Sequence, residues 1–550
     1  MKAAQYARSL LPSWRDYRST RRTWRGDLIA GLTVGIIALP LALAFGVSSG
    51  AGAESGLITA IVAGVVAAVF GGSNIQVSGP TGAMVVVLGP IVAAHGPGVV
   101  AIVSLMAGVV VAIVGIMKLG RVVSYIPWPV IEGFTLGIAV IIFLQQVPAA
   151  IGTKSGPSSN AVVAAIQSFP QVNGATIVWP IAVVVIVALI MVFAPRIHPR
   201  VPGSIIAIVV VSVITNVAHL PLARIGTLPN SLPAPSLPSF ELATLGSLVG
   251  PALTIAALAA IESLLSARVA ASISDAGSFD ADRELVGQGL ASIASGLFGG
   301  MPATGAIART AVNVRSGGRS RLAAIVHAVV LVGVVYLATG IVSQIPLAAL
   351  SGVLMVTATR MISLATVRSV VGSTRSDTVV FIVTAFVTVS FDLIVAVCIG
   401  IVIAAFFALR TLAKSGNVHR EELPGPPQPN DEYIALFRLD GALFFGAADR
   451  MLDRVTQISN VSVVIIRMSQ LQVMDATGAR VVTEMIHELE RRGITVLLKG
   501  ILPQHVKLAM RVGVIDSLRH RKHLFADLDS AVEHARSHVA RAPTAPSLSR

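Results

Sequence analysis

Apolar and polar positions divide this chain near residue 415. Between residues 27 and 412 one apolar stretch follows another, near 27–47, 57–71, 79–94, 98–117, 131–150, 177–194, 203–219, 250–270, 285–299, 304–314, 322–341, 346–362, 378–394 and 396–412. Most approach the roughly 20 residues that a helix needs to cross a bilayer, and the shorter ones read as half-helices. Past residue 432 the period changes. Tyr433–Leu439 alternates as a strand does, Ala447–Ile458 has helical spacing, Val461–Met468 is a β-branched run and Ala476–Arg492 is amphipathic. Ile494–Lys499 reads as another strand, with helices expected at 503–512 and 527–539. Strands alternating with helices predict a small α/β domain.

The predicted fold is thus an α-helical polytopic membrane protein of about fourteen segments carrying a separate α/β domain. Residues 1–26 form a basic arm, 27–414 the membrane domain, 415–432 a polar, Pro-rich linker and 433–540 the α/β domain, with a disordered tail expected over 541–550. Composition agrees: 54% of the 550 residues are hydrophobic and only 12% charged, against about 25% charged in soluble domains.

Charge orients the segments. Alternate loops collect Lys118, Arg121, Arg196, Arg200, Arg268, Arg283, Arg315, Arg319, Arg321, Arg360, Arg368, Arg375, Arg410 and Lys414 on one side, and only Lys154 and Arg224 on the other. The positive-inside rule then makes both termini cytoplasmic, which requires an even number of segments. The first 25 residues carry seven basic side chains and no apolar core, unlike a cleaved signal peptide and suited to anionic lipid. The net charge of +14 flanks membrane segments, so it does not argue for nucleic acid. The proline-dense stretch 220–238 reads as an extended external crossing between two halves. Seven segments per half is odd, so the second half enters from the opposite face, giving a 7+7 inverted repeat.

One plan occurs twice. Phe70-Gly71-Gly72 closes a segment and Ser78-Gly79-Pro80-Thr81-Gly82-Ala83 opens the next; Phe298-Gly299-Gly300 is followed by Met301-Pro302-Ala303-Thr304-Gly305-Ala306. Gly and Pro interrupt the helix, and at membrane depth the freed backbone survives only inside protein or beside a water-filled cavity. A half-helix starting there presents unpaired N–H groups and the positive end of its dipole, and two such ends facing each other make an anion site.

Glu262 stands alone in an apolar span, where a carboxylate is expensive and marks function by default. Burial disfavours its charged form, which suits carrying a proton. The alternative is Na⁺ held with Ser266, one turn on, and backbone carbonyls. Arg309, about one turn past Thr304-Gly305-Ala306, offers a permanent planar charge to an oxyanion; it could instead snorkel to the interface or pair with Glu262. His95 and His327 are single and read as structural, and Asp392 is expected at the outer interface. No Ser-His-Asp order, P-loop lysine or zinc spacing survives its context, so neither an enzyme, a metal site nor a cofactor is expected. In the α/β domain Asp475 is a candidate N-cap, and Thr477 lies near a helix N-terminus where a phosphate is electrostatically welcome.

These motifs, together with Gly26-Asp27-Leu28-Ile29-Ala30-Gly31-Leu32-Thr33, Ile261-Glu262-Ser263-Leu264-Leu265 and Gly305-Ala306-Ile307-Ala308-Arg309-Thr310-Ala311-Val312-Asn313, resemble the SulP family of anion transporters. The C-terminal domain resembles the STAS domain of that family, related to anti-sigma-factor antagonists. The likeness covers nearly the whole chain. It implies a core and a gate domain, a homodimer and elevator-like alternating access. It implies an anion site lined by Thr81, Gly82, Ala83, Gly305, Ala306 and Ile307, with Phe45 beside it and Arg309 adding charge. It also implies that Thr477 matches the residue phosphorylated in the antagonists.

The chain departs from the pattern in places. Pro40-Leu41 stands where many members have Pro-Gln, which removes one polar substrate contact. Sodium-coupled bicarbonate members have Asp at Glu262 and Thr at Ser266 and at Ile307. Members with Glu and Gly-Ala-Ile-Ala-Arg include proton-linked dicarboxylate carriers. The expectation is a proton-coupled secondary transporter of sulfate, bicarbonate or a small dicarboxylate in the inner membrane. Its partners would be H⁺ or Na⁺, membrane lipid, a second copy of the chain and a cytoplasmic protein at the STAS domain. The rivals are sodium-coupled bicarbonate uptake and a membrane-anchored STAS signalling protein.

Overall fold

A computed structural model describes residues 6, 8–18, 20–121, 126–158, 160–172, 174, 177–197, 202–228, 230–238, 242–274, 278–391, 393–415, 417–443 and 460–541. The chain forms two compact units, Met1–Ile401 and Val402–Arg550, divided within the last apolar helix. The expected Ala447–Ile458 helix and Asp392 lie outside the described residues.

Every apolar run expected to be a membrane segment contains a helix: α1 Thr20–Ser48, α2 Ala53–Phe70, α3 Gly82–His95, α4 Val99–Ile116, α5 Trp128–Ala150, α7 Val178–Ile197, α8 Gly203–Val217, α9 Leu242–Ser272, α10 Ala281–Leu297, α11 Ile307–Arg315, α12 Arg321–Leu337, α13 Leu347–Met361, α15 Arg375–Ser390 and α16 Leu393–Ser415. Short helices α6 (Ala161–Ser168) and α14 (Leu364–Val371) lie between them. Among the described residues, eight helices are long and apolar enough to cross a membrane. The half-helices α3 and α11 have 14 and 9 residues, about 21 Å and 14 Å at 1.5 Å per residue, too short to span one alone.

Close approach in this bundle rests on small residues, as expected where lipid supplies no hydrophobic drive between helices. Gly108 and Gly289 let α4 and α10 meet backbone to backbone, as Gly46 and Gly56 do for α1 and α2. The described residues of the proline-dense stretch 220–238 are not helical; Ile225 N–H donates to Ile345 carbonyl at 3.0 Å and Leu347 N–H to Ala223 carbonyl at 2.9 Å. Several loop charges prove to be buried clamps. Arg321 donates to the carbonyl of Ala68 at 2.8 Å and to Asn74 Oδ1 at 3.1 Å. Arg283 pairs with Asp16 at 2.7 Å and donates to Phe70 carbonyl at 3.3 Å. Glu284 accepts from the N–H groups of Gly72 at 2.8 Å and Ser73 at 2.9 Å. The first Phe-Gly-Gly turn is therefore closed by ionic side chains from α10 and α12. Asp27 likewise accepts from the N–H groups of Arg319 and Ser320 and from Ser320 Oγ, tying α1 to the start of α12.

The second unit holds one five-stranded sheet, β3 (Asn417–Glu421), β4 (Ile434–Leu443), β5 (Val463–Met474), β6 (Thr495–Lys499) and β7 (Leu524–Phe525), in that order. Only the β3–β4 pair is antiparallel. Helices α17 (Ala476–Arg491), α18 (Pro503–Val512) and α19 (Leu528–Arg541) pack on it. Residues 415–432, expected as linker alone, contribute β3. Val418 is its one apolar side chain, so an edge strand carrying His419, Arg420 and Glu421 shows no hydrophobic alternation. Arg536 of α19 donates to Asp431 at 2.7 Å and holds that carboxyl below its usual range.

Candidate functional site

The two repeated motifs meet. Ser78–Gly79 (β1) and Thr304–Gly305 (β2) form a short antiparallel pair with Ser78 opposite Gly305 and Gly79 opposite Thr304. Ala306 N–H extends the pairing to Val77 carbonyl at 2.9 Å. Glycine is required on both sides. Gly79 has φ +151°, and a Cβ at Gly305 would lie 1.5 Å from Gln76 Nε2. Half-helices α3 and α11 start just beyond, with Thr81 and Ala306 as extended N-cap residues whose side chains cap nothing. Their first-turn N–H groups and dipole ends remain free to face an anion.

Helix α9 aligns both turns through one face. Ala259, Glu262, Ser263 and Ser266 recur at i, i+3, i+4 and i+7, so they share a stripe. Glu262 Oε2 accepts from Thr81 Oγ1 at 2.9 Å, reaching the first turn. Ser263 Oγ accepts from Gly305 N–H at 3.1 Å and bonds Thr304 Oγ1 at 2.8 Å, reaching the second. Thr304 Oγ1 also donates to Ala259 carbonyl at 3.2 Å. Ser266 Oγ lies 3.4 Å from Thr310 Oγ1 and is fully buried. Ser266 therefore looks toward α11, while Glu262 looks toward the start of α3.

Arg309 neither snorkels nor pairs with Glu262. It is 3% exposed, Nη2 donates to Pro80 carbonyl at 2.6 Å, and Nη1 is buried with no protein partner. The guanidinium thus crosses from α11 to the opposite turn, and its free nitrogen lies 2.8 Å from where a Cβ on Gly79 would stand. A desolvated cation carrying a vacant donor is costly unless something negative completes it.

The remaining expected residues cluster here. Phe45 of α1 is buried, with its ring edge 3.4 Å from where a Cβ of Gly82 would stand. Ala83 and Ala306 are buried and Ile307 is half-buried. An open cleft of about 480 Å³ adjoins the far part of α3, lined in part by Pro90, Gln145, Asn160, Thr254 and Thr388. Asp475 and Thr477 belong to the other unit. Asp475 Oδ1 accepts from Gly478 N–H at 2.7 Å, the N-cap expected, and Thr477 is exposed in the first turn of α17.

Sequence reasoning missed three supports. Gln288 of α10 donates through Nε2 to Ser78 Oγ at 2.6 Å and to Glu284 Oε1 at 2.9 Å. Gln76 Nε2 donates to Ser263 carbonyl at 3.3 Å, and Asn313 Nδ2 to Ile75 carbonyl at 2.7 Å. The legible signal was Glu284 and Gln288 at i, i+4 on the flank of an apolar run. His327 is fully buried with neither ring nitrogen bonded.

Comparison with known proteins fits this geometry. The chain is 34% identical over 510 residues to a Bacillus subtilis protein named putative sulfate transporter YvdB, covering 91% of this chain and 95% of the relative. The structure of the transmembrane domain of the cyanobacterial bicarbonate transporter BicA aligns with TM-score 0.61 and 34% identity, covering 68% of this chain and 97% of that domain. The overall structure of SLC26A9 shares the fold, with TM-score 0.79 at 18% identity over 96% of this chain and 92% of that one. A STAS domain is matched over residues 427–531. With its model matched across residues 24–384, the chain belongs to the sulfate permease family.

Proposed function

We propose that this multi-pass anion transporter is a proton-coupled secondary carrier of a small oxyanion, sulfate, bicarbonate or a dicarboxylate. The anion binds between the free N-termini of α3 and α11. Thr81, Gly82, Ala83, Gly305, Ala306 and Ile307 line the site, Phe45 closes one side, and Arg309 balances the charge. The observation that carries this reading is the buried, unpartnered Nη1 of Arg309 beside two uncapped half-helix starts. Backbone N–H groups and a guanidinium fork both suit an oxyanion. The names of the relatives support the substrate class, as a sulfate and a bicarbonate transporter.

Glu262 is the coupling group in this reading. Protonated, it has no charge to oppose that of the anion; ionised, it accepts from Thr81 at the start of α3. Proton and anion then enter together. The direction of Ser266 toward Thr310 favours this over the sodium alternative, because the two oxygens expected to share a cation face different elements. Carrier motion is elevator-like, in a homodimer of the inner membrane with both termini cytoplasmic. Thr477 is a phosphorylation candidate, and the STAS domain a docking site for a cytoplasmic protein.

The test is uptake of labelled sulfate, bicarbonate and fumarate into proteoliposomes under an inward proton gradient, an inward sodium gradient, or neither. Stimulation by protons, lost in Glu262→Ala, is expected. Undiminished pH-driven uptake by Glu262→Ala removes Glu262 from coupling, and stimulation by sodium alone makes the site a cation site. No uptake of any anion, with a cellular phenotype that deletion of residues 420–550 abolishes, would make the chain a signalling protein.

A further inference from the structure

The STAS unit contains a second cluster of chemistry that the transport reading does not use. His523 ends a short 3₁₀ turn, Arg521–His523, just before β7, and His534 and His538 lie at i, i+4 on α19. Helical spacing of four puts two imidazoles on one face, the arrangement used by helix-borne metal sites. The three rings converge. One ligand-capable atom from each lies within 4.8 Å of the others. The Nε2 atoms of His534 and His538 are 3.2 Å apart.

That separation suits shared ligation as well as a hydrogen bond. Zinc–nitrogen bonds of about 2.0–2.1 Å at tetrahedral angles place neighbouring ligand nitrogens about 3.3–3.4 Å apart. The His534–His538 edge already has this length. The third ligand needs to close by at most about 1.5 Å to reach it, within reach of a ring rotation. Two neutral imidazoles can also meet through one N–H, but that uses only two of the three. His523 is 3% exposed, and its Nδ1 is buried with no protein partner. An orphaned imidazole nitrogen at such a cluster is costly unless a ligand completes it. His520 meets His523 edge to face, at 5.5 Å between ring centroids, and stands one turn away as a candidate fourth donor. Neighbouring Arg519 and Arg541 oppose a cation there, so any affinity must come from ligation itself.

We propose that His523, His534 and His538 form a divalent transition-metal site of the zinc class, with a water or His520 in the fourth position. Imidazole sets of this kind take Zn²⁺ and its borderline neighbours and leave Mg²⁺ and Ca²⁺ unbound. The metal would lock α19 against the strand-7 end of the sheet. The sequence carries the signal as His520-x2-His523 followed by His534-x3-His538, in a chain where no zinc spacing was expected.

The experiment uses the full chain in detergent, purified without a histidine tag and stripped with chelator. Calorimetric titration with zinc chloride should show one equivalent bound per chain, with none for magnesium. His534→Ala/His538→Ala should weaken binding by well over tenfold, since even outer-sphere partners of metal ligands are worth ten- to a hundredfold. His487→Ala, on the exposed face of α17, should leave it unchanged. If the double variant does not fold, cobalt(II) added to the wild type decides instead through the intense visible bands of a tetrahedral nitrogen-ligated ion. Equal zinc binding by wild type and a folded double variant, no binding by wild type, or only the weak spectrum of hydrated cobalt overturns the proposal.

Discussion

The two half-helix turns share a plan but not a chemistry. The first ends in Thr81, whose hydroxyl reaches the carboxylate of Glu262 on a neighbouring helix. The second ends in Ala306, which brings no polar side chain, and its charge arrives one turn later as Arg309, which leans across to the Pro80 carbonyl of the first. The acid thus serves the first turn and the base crosses from the second. A symmetric pair of dipoles can hold an anion. Only the first turn is hydrogen-bonded to a titrating group, Glu262, and the proposed proton coupling rests on that inequality. The two copies supply a common scaffold, and the proposed coupling rests on the differences between them.

The largest effect tests whether the turns must touch. Gly305→Ala places a Cβ into Gln76, which should cost about 1–3 kcal/mol or more of stability by overpacking and abolish uptake. Gly79→Ala meets the movable end of Arg309 and should do less structural harm, though its backbone conformation is unfavourable. Thermal melting of both variants in detergent ranks them, and the reverse order would mean that the first turn, not the second, is the rigid one.

Next comes Arg309→Lys, which keeps the charge and loses the fork. Hydrogen bonds to charged groups are worth about 1.5–3 kcal/mol, so anion affinity should fall roughly ten- to a hundredfold. Wild-type affinity in this variant, measured by concentration dependence of uptake, would remove the guanidinium from the site. Glu262→Gln should keep a contact with Thr81, lose stimulation by a proton gradient and retain anion exchange. Retained stimulation shows that the proton is carried elsewhere. Thr81→Val removes one hydrogen bond, about 0.5–1.5 kcal/mol, and should shift the pH dependence of uptake without eliminating transport. Ser266→Ala is smallest, since its 3.4 Å contact with Thr310 is long. Both proton- and sodium-driven rates should stay within about twofold, as a weak hydrogen bond allows, and a selective loss of a sodium response would restore the cation alternative.

Much of this site was legible because breaking a membrane helix needs conspicuous residues. Pro80, Thr81, Gly82, Gly305 and Ala306 stand out from apolar surroundings, and Glu262 is an expensive exception at membrane depth. The partners of those residues were not legible in the same way. Arg283 and Arg321 look like loop charges in the chain, yet they close the Phe70-Gly71-Gly72 turn. Ser263 and Gln288 are ordinary polar residues until the fold brings them to Gly305 and Ser78. Edge strand β3 was hidden because a single apolar residue, Val418, makes no alternating pattern.

The sequence by itself determined the membrane class, the helical segments, the two broken-helix motifs and the α/β domain. Hydrophobic run length and period are local properties that need no partner to be read. Only the tertiary structure decided that Arg309 reaches Pro80 rather than Glu262, that Ser266 faces Thr310, and that His523 meets His534 and His538. Each of these depends on which helix passes which turn, a choice made by packing across many residues of chain and carried by no single segment.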